Sequence, residues 1–208
     1  MSSILLVTAS PRGATSLSTR AARTVADALA RRTPGARIVH RDLAAAPLPH
    51  IDQDFAVAVK TPAEKLTAAQ ADLLAVSDAA TDELLAADAV VIATGMINFS
   101  IASTLKSWFD HVARAHRTFR YTADGPQGLA GGKKAYVVIA SSGTYTDGGP
   151  AASMDHARPY LRSMLGFFGI TDIEFVDIEG VGLGIEPDAA ILERALGKLG
   201  AADLAAAA

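Results

Sequence analysis

The chain has 208 residues, half of them hydrophobic and a fifth charged, with a formal charge of −3 and no cysteine. Such a chain can bury enough apolar surface to offset its ordering entropy, which excludes general disorder. Its weakly acidic balance lacks the basic footprint of a nucleic-acid binder, and the missing thiols remove disulfides, thiolate nucleophiles, thiolate-held zinc and iron–sulfur clusters.

The first ten residues hold a short apolar run with no basic segment before it and no small-residue cleavage site after it. They read as a strand over residues 4–8 and not as a targeting segment. A helix over 16–32 follows, because Leu17, Ala21, Val25 and Leu29 fall four apart while Arg20, Arg23, Asp27 and Arg31 take another face. Pro34 and Gly35 stop it. A second strand is expected at 38–41. Thr67 with Gln70 forms a capping-box pattern ahead of Leu73, Val76, Ala80 and Leu84, which predicts a long helix to about Ala86. Nearly continuous apolar runs at 89–93 and 135–140 predict strands covered on both faces, and the more alternating run at 173–178 predicts an edge strand. Between and after them, Ile101, Leu105, Trp108 and Val112 mark a third helix. Leu161, Met164, Leu165 and Phe168 mark a fourth, which Gly169 ends in a left-handed conformation. Leu192, Ala195, Leu196 and Leu199 mark a fifth, and the terminal alanines 205–208 read as frayed helix. Strict alternation of strand and helix predicts one α/β domain over 1–208. Its parallel five-stranded sheet should be covered on both faces, in flavodoxin-like order. Two connections, 45–66 and 118–134, exceed an ordinary loop and are expected to be functional insertions or disordered. No apolar run approaches the ~18 residues of a membrane span, and a cytoplasmic location is expected.

In an open α/β sheet, ligands sit beyond the carboxyl ends of the strands. The loop after the first strand carries Ser10, Ser16 and Ser18 to the start of a helix. Free N–H groups, the helix dipole and hydroxyls there can hold a phosphate, although Ser16 can equally be an N-cap alone. No Walker pattern is present, which disfavours a nucleoside triphosphatase. The loop after the third strand, Met96, Ile97, Asn98 and Phe99, offers a neutral amide and packing side chains to a flat heterocycle. The loop after the fourth, Ser141, Ser142, Gly143 and Thr144, supplies small residues at the same edge, with Gly143 allowing close backbone approach. His111 and His116 sit around a helix end, where a histidine can simply face water or complement the dipole. Trp108, Phe167 and Phe168 read as core or interface. No histidine spacing suggests a metal.

These segments, taken jointly and in order, closely resemble the FMN-dependent NADH azoreductases, also called FMN-dependent NADH:quinone oxidoreductases. The match rests on Ser10, the Ser16-Leu17-Ser18 triplet, Met-Ile-Asn-Phe at 96–99, LKSWFDHVAR at 105–114, TFRYTADGPQGL at 118–129 and GFFGI at 166–170. The resemblance implies a flavodoxin-like homodimer with one non-covalent FMN per subunit, reduced by NADH or NADPH and reoxidised by quinones or azo compounds in a ping-pong reaction. By position, Ser10, Ser16, Leu17 and Ser18 would hold the phosphate and ribityl chain. Met96, Ile97, Asn98 and Phe99 would line the isoalloxazine, and Ser141, Ser142, Gly143 and Thr144 would touch its other edge. Two positions depart from the usual family pattern: Ile97 stands where Tyr is usual, and Ser142-Gly143-Thr144 where a glycine-rich run is common. Phe119, Tyr121 and Tyr145 are expected to wall the substrate pocket, and no obligate catalytic side chain is expected. Broad apolar faces, with Trp108 and Phe109 on one helix and Leu161, Met164, Phe167 and Phe168 on another, predict a second surface buried in the dimer.

Two other classes compete on the residues alone. A flavodoxin-type electron carrier would share the fold and the phosphate loop but turn over no substrate of its own. A hydrolase using a loop serine lacks the Gly-x-Ser-x-Gly elbow that would support it.

Overall fold

The computed structural model describes residues 2–146 and 148–199. In chain order its elements are β1 (Ser3–Thr8), α1 (Leu17–Arg32), β2 (Arg37–Asp42), α2 (Gln53–Ala58), α3 (Ala68–Ala86), β3 (Ala89–Gly95), α4 (Ser103–Val112), β4 (Phe119–Thr122), β5 (Gly125–Gly128), β6 (Lys134–Ser141), α5 (Ala157–Phe167), β7 (Asp172–Glu179) and α6 (Asp188–Gly197). Five strands pair in parallel in the order β2-β1-β3-β6-β7, so the alternating run expected at an edge is an edge strand. The register runs from Ile4↔Ala89 to Thr8↔Ala93 and from Ala89↔Lys134 to Gly95↔Ala140. The strands therefore end level, and the three loops that follow β1, β3 and β6 leave from one rim.

Side chains alternate across the sheet, and each face has its own core. Leu5, Val7, Val90, Ile92, Val137 and Ile139 pack under α3, α4 and α5 with Trp108, Phe109, Leu161 and Phe168. Ile4, Leu6, Val91, Val138, Val176 and Ile178 pack under α1 and α6. Central strands covered on both sides must be apolar at every position, which is why their sequences read as continuous runs.

The capping box is formed: Gln70 N donates to Thr67 Oγ1 (3.2 Å) and Thr67 N to Gln70 Oε1 (3.0 Å). The inward face of α3 nevertheless differs from the expected stripe. Ala80 and Leu84 are buried as expected, but Leu74, Ser77 and Thr81 are buried with them while Val76 is exposed. Two hydroxyls can line this interface because both are bonded. Ser77 Oγ donates to the His111 carbonyl (2.6 Å), and Thr81 Oγ1 to the Ser77 carbonyl (2.8 Å).

Both long connections contain structure that no periodicity announced. The first holds α2, a six-residue helix whose Asp52 cap accepts from Phe55 N (2.8 Å) and whose Phe55 is buried. The second holds the antiparallel β4–β5 hairpin. The hairpin is fastened where Gly128 meets Gly169, because a Cβ on Gly128 would stand 2.1 Å from Gly169 N. Gly169 ends α5 at φ +88°, as expected. Both glycines are needed, one for the approach and one for the dihedral. The terminal alanines 205–208 lie outside the described residues. Among those described, no helix is long and apolar enough to cross a membrane.

Candidate active site

At the rim, Ser16 occupies the N-cap position of α1 but its hydroxyl caps nothing. Instead Ser16 Oγ lies 2.9 Å from Ser18 Oγ, and both residues are buried. The first α-helical bond here runs from Arg20 N to Ser16 O. That leaves the N–H groups of Leu17, Ser18 and Thr19 without intrahelical acceptors. Thr19 Oγ1 is itself buried without a partner among the described residues, and no acidic residue sits in the first turn. Ser10, also buried, accepts from Arg12 N (3.3 Å). The result is a concave set of donors without a buried countercharge, suited to a phosphate-type anion.

The second loop is a tight reversal. Ile97 N donates to Ser100 O (2.8 Å) and Ser100 N to Ile97 O (3.1 Å), while Asn98 and Phe99 both have positive φ, at 47° and 69°. Positive φ at both central residues belongs to the mirror-image turn that normally selects Asn-Gly. A phenylalanine there is strained, and strain of this kind clusters at functional sites. Three contacts hold the turn in place: Met96 N donates to Ala140 O, His156 N to Phe99 O and Ala102 N to Thr94 Oγ1. Ile97 and Phe99 stand 43% and 44% exposed on it. Two apolar side chains are thus presented outward by a backbone that costs energy to maintain.

The third loop is organised from a distance. Glu179, at the end of β7, accepts from Tyr145 N (2.6 Å), Thr146 N (2.9 Å) and Thr146 Oγ1 (2.9 Å). The close neighbour that Gly143 admits is the ring of Tyr145, 3.0 Å from where a Cβ would stand.

Ser10, Ser16, Leu17, Met96, Ile97, Ser141 and Ser142 converge on one cleft of about 120 Å³. Ile97 also lines two neighbouring clefts. One, of about 340 Å³, runs toward Ala44 and the start of α4, and the other, of about 580 Å³, is lined by His50, Asn98, Ser100, Lys106 and Tyr160. Ser18, bonded to Ser16, and Phe99, Gly143 and Thr144 are outside the lining of these clefts. Tyr145 lines a separate cleft of about 400 Å³ with Asp155, Arg158 and Asp177.

Phe119 and Tyr121 are not part of this assembly. Phe119 packs on Phe167 (centroids 4.4 Å) at the end of α5 that leads into β7, on the opposite rim of the sheet. Six steps of β3 separate the rims, roughly 20 Å at ~3.3 Å per residue. Tyr121 is 73% exposed. Of the residues expected to feed a second surface, Trp108, Phe109, Leu161 and Phe168 are wholly buried within the chain's own core, while Met164 and Phe167 are half-buried. A broad apolar face is consumed when a helix packs on both its sheet and its neighbours.

His111 does not face water. It is buried, its Nε2 bonds the Pro49 carbonyl (2.9 Å), and Phe55 packs edge-on against its ring (4.9 Å). It ties the first insertion to α4, and this places His50 at the 580 Å³ cleft. Sequence reading passed over His50, Tyr160 and Glu179, since each acquires its position through partners far away along the chain. Among the described residues no cluster of histidines and carboxylates could hold a metal.

A parallel sheet in this order, with an uncapped helix start and a strained turn on one rim, defines a flavodoxin-like α/β protein. The family model described as a flavodoxin-like fold matches residues 2–202. A relative from Mesorhizobium japonicum, an FMN-dependent NADH:quinone oxidoreductase, is 54% identical over 96% of this chain and 94% of its own length. Another of that name from Rhizobium etli is 55% identical, covering 95% and 94%. The crystal structure of an azoreductase from Bacillus anthracis superposes with a TM-score of 0.86 at 32% identity, covering 99% of each chain. The chain belongs to the FMN-dependent NADH:quinone oxidoreductase family.

Proposed function

We propose that this chain, folded as one domain over 1–208, catalyses the two-electron reduction of quinones and azo compounds by NADH through non-covalently bound FMN. The observation that carries the reading is the convergence of three buried serine hydroxyls and an uncapped helix start beside a strained turn. Membership of the family agrees with it. The residues fit the cofactor. The orphaned Thr19 hydroxyl, the uncapped N–H groups and the missing first-turn acid suit a phosphate, and the outward Met96–Phe99 turn suits a flat ring.

Bound FMN would supply hydride acceptance from NADH and electron donation to the acceptor. Ser10, Ser16 and Ser18 with the first α1 amides hold the phosphate. Met96, Ile97 and Phe99 line the ring, and Asn98 offers its edge a donor and an acceptor. Ser141 to Thr144 close the other side, on a loop that Glu179 holds through Tyr145 and Thr146. Nicotinamide and acceptor share the space around Ile97, so one leaves before the other enters. An electron carrier would have no use for such clefts beside the ring site. The substrates are small molecules in the cytoplasm, not nucleic acid or membrane.

The same reading includes a homodimer. Phe119 and Tyr121 can wall the site only from a second copy, because their own rim is the wrong one. The exposed Tyr121 ring is available for that role, as is Tyr145 within the chain. The purified protein should be yellow and release intact FMN in acid, and NADH with a benzoquinone should give parallel double-reciprocal lines. A colourless protein that takes up no FMN on titration overturns the reading. Sedimentation at twice the chain mass supports the dimer, and a fully active monomer removes it.

A further inference from the structure

We infer that His50 delivers the second proton to the acceptor in quinone reduction, with Ser107 holding its ring for the task. The inference deepens the functional reading above and rests on it. The cleft of about 580 Å³ lined by His50, Ile97, Asn98, Ser100, Lys106 and Tyr160 shares Ile97 with the serine-lined cleft. A flat acceptor lying there has both the strained turn and His50 in the lining of its cleft.

Three observations make His50 more than a chance surface histidine. Its Nδ1 lies 3.0 Å from Ser107 Oγ, a hydroxyl on buried Ser107 of α4. With Nδ1–H given to Ser107, Nε2 is the nitrogen that gains and loses a proton. Next, the segment carrying it is fixed on both sides: Leu48 is in the core, the Pro49 carbonyl is bound by His111, and Phe55 packs on that same imidazole. An exposed side chain on so well-anchored a backbone is preorganised. Finally, Tyr160 lines the same cleft; its hydroxyl is buried beneath it with no partner among the described residues, and burial with the nearby Asp110 charge pushes its phenol upward, so it stays protonated. His50 and the Asn98 amide are donors in a cleft where Ile97 and Ile101 offer apolar wall and Ser100, Ser103 and Lys106 complete the lining, which suits a flat molecule with carbonyl oxygens. The other ionisable groups around His50 are Lys106, paired with Asp110 (2.5 Å), His111 on α4 and Asp52, whose carboxylate caps α2.

The overall reaction takes NADH, quinone and one proton to NAD⁺ and hydroquinone. Hydride equivalents from NADH bring two electrons and one hydrogen. The remaining proton leaves His50 as the Nε2–H bond breaks and the O–H bond forms on the acceptor oxygen. The ring is then neutral, with Nδ1–H still on Ser107, and it regains a proton from water at its exposed side.

The test uses holoprotein in rapid-mixing experiments that separate reduction by NADH from reoxidation. With 1,4-naphthoquinone, His50→Gln should slow reoxidation about 10²–10⁴-fold, the range a positioned general acid supplies, and Ser107→Ala by a smaller factor in the same direction. Ferricyanide takes electrons without protons and should be reduced by His50→Gln at the wild-type rate. Independently of turnover, 1,4-naphthoquinone added to oxidised holoprotein without NADH should move the His50 imidazole ¹⁵N resonances, assigned by their loss in the variant. Equal slowing with both acceptors overturns the proposal, as does an unchanged naphthoquinone rate or an unmoved imidazole while the quinone binds. Failure of NADH to reduce bound FMN in the wild type sinks the functional reading instead, and the His50 assignment with it.

Discussion

The paired hydroxyls at the start of α1 allow the phosphate site to be tested against both a ligand and the apoprotein. Ser16 Oγ and Ser18 Oγ are 2.9 Å apart and both residues are buried, so each is the other's protein partner. Replacing one by Ala leaves a buried hydroxyl unsatisfied, at about 1–3 kcal/mol of apoprotein stability, whereas replacing both removes donor and acceptor together and costs less. Ligand binding should order the variants the other way. A hydrogen bond to a charged group contributes about 1.5–3 kcal/mol, so losing two to a phosphate costs about 3–6 kcal/mol. At ~1.4 kcal/mol per decade, Ser16→Ala with Ser18→Ala should weaken FMN roughly a hundredfold to ten-thousandfold. Riboflavin, which has the ring and ribityl chain but no phosphate, should lose less affinity than FMN in the double variant. Fluorescence titration of apoprotein with each flavin reads the difference, and thermal melts read the stability order. If FMN and riboflavin lose the same factor, these serines do not form the phosphate site.

Three further outcomes follow from contacts already described. Gly128→Ala places a Cβ 2.1 Å from the Gly169 backbone nitrogen, with backbone on both sides. It should cost about 1–3 kcal/mol or more, and a wild-type melting temperature would contradict the account of the hairpin junction. Glu179→Gln removes the charge from three bonds to the third loop, so amide exchange at Tyr145 and Thr146 should accelerate about tenfold or more at ~1.4 kcal/mol per decade. Unchanged protection there would show that the loop is held by something else. Burial raises the Asp177 carboxyl above its ordinary value, against the pull of Arg158. A carboxyl raised in the folded state keeps its proton longer there than in the unfolded chain, so its contribution to stability falls as pH rises from about 3.8. Asp177→Asn should flatten that part of the pH–stability curve, and an identical curve would refute the assignment.

Much of the molecule is determined by rules that act within a few residues. Apolar periodicity placed five strands and five helices, the Thr67–Gln70 pair marked a helix start, and Gly169 marked a helix end, because backbone hydrogen bonding and dihedral preference need only near neighbours. The three rim loops were legible for the same reason: strand order puts them together once the alternation is recognised. Other features needed the folded chain. The inward face of α3 was decided by Ser77 and Thr81, whose hydroxyls are buried only because distant or helical carbonyls accept from them. Trp108 and Phe109 looked like surplus apolar surface until the packing of Phe109 against Phe168 and Tyr160, and of Trp108 against Phe109, accounted for them. The rim on which Phe119 and Tyr121 lie depends on where Gly128 meets Gly169. His50 meets Ser107 across 57 residues and Pro49 meets His111 across 62. No local pattern encodes such pairs, since either partner alone is an ordinary polar residue. Their positions are set by two separately anchored segments brought together by the burial of Leu48 and Phe55.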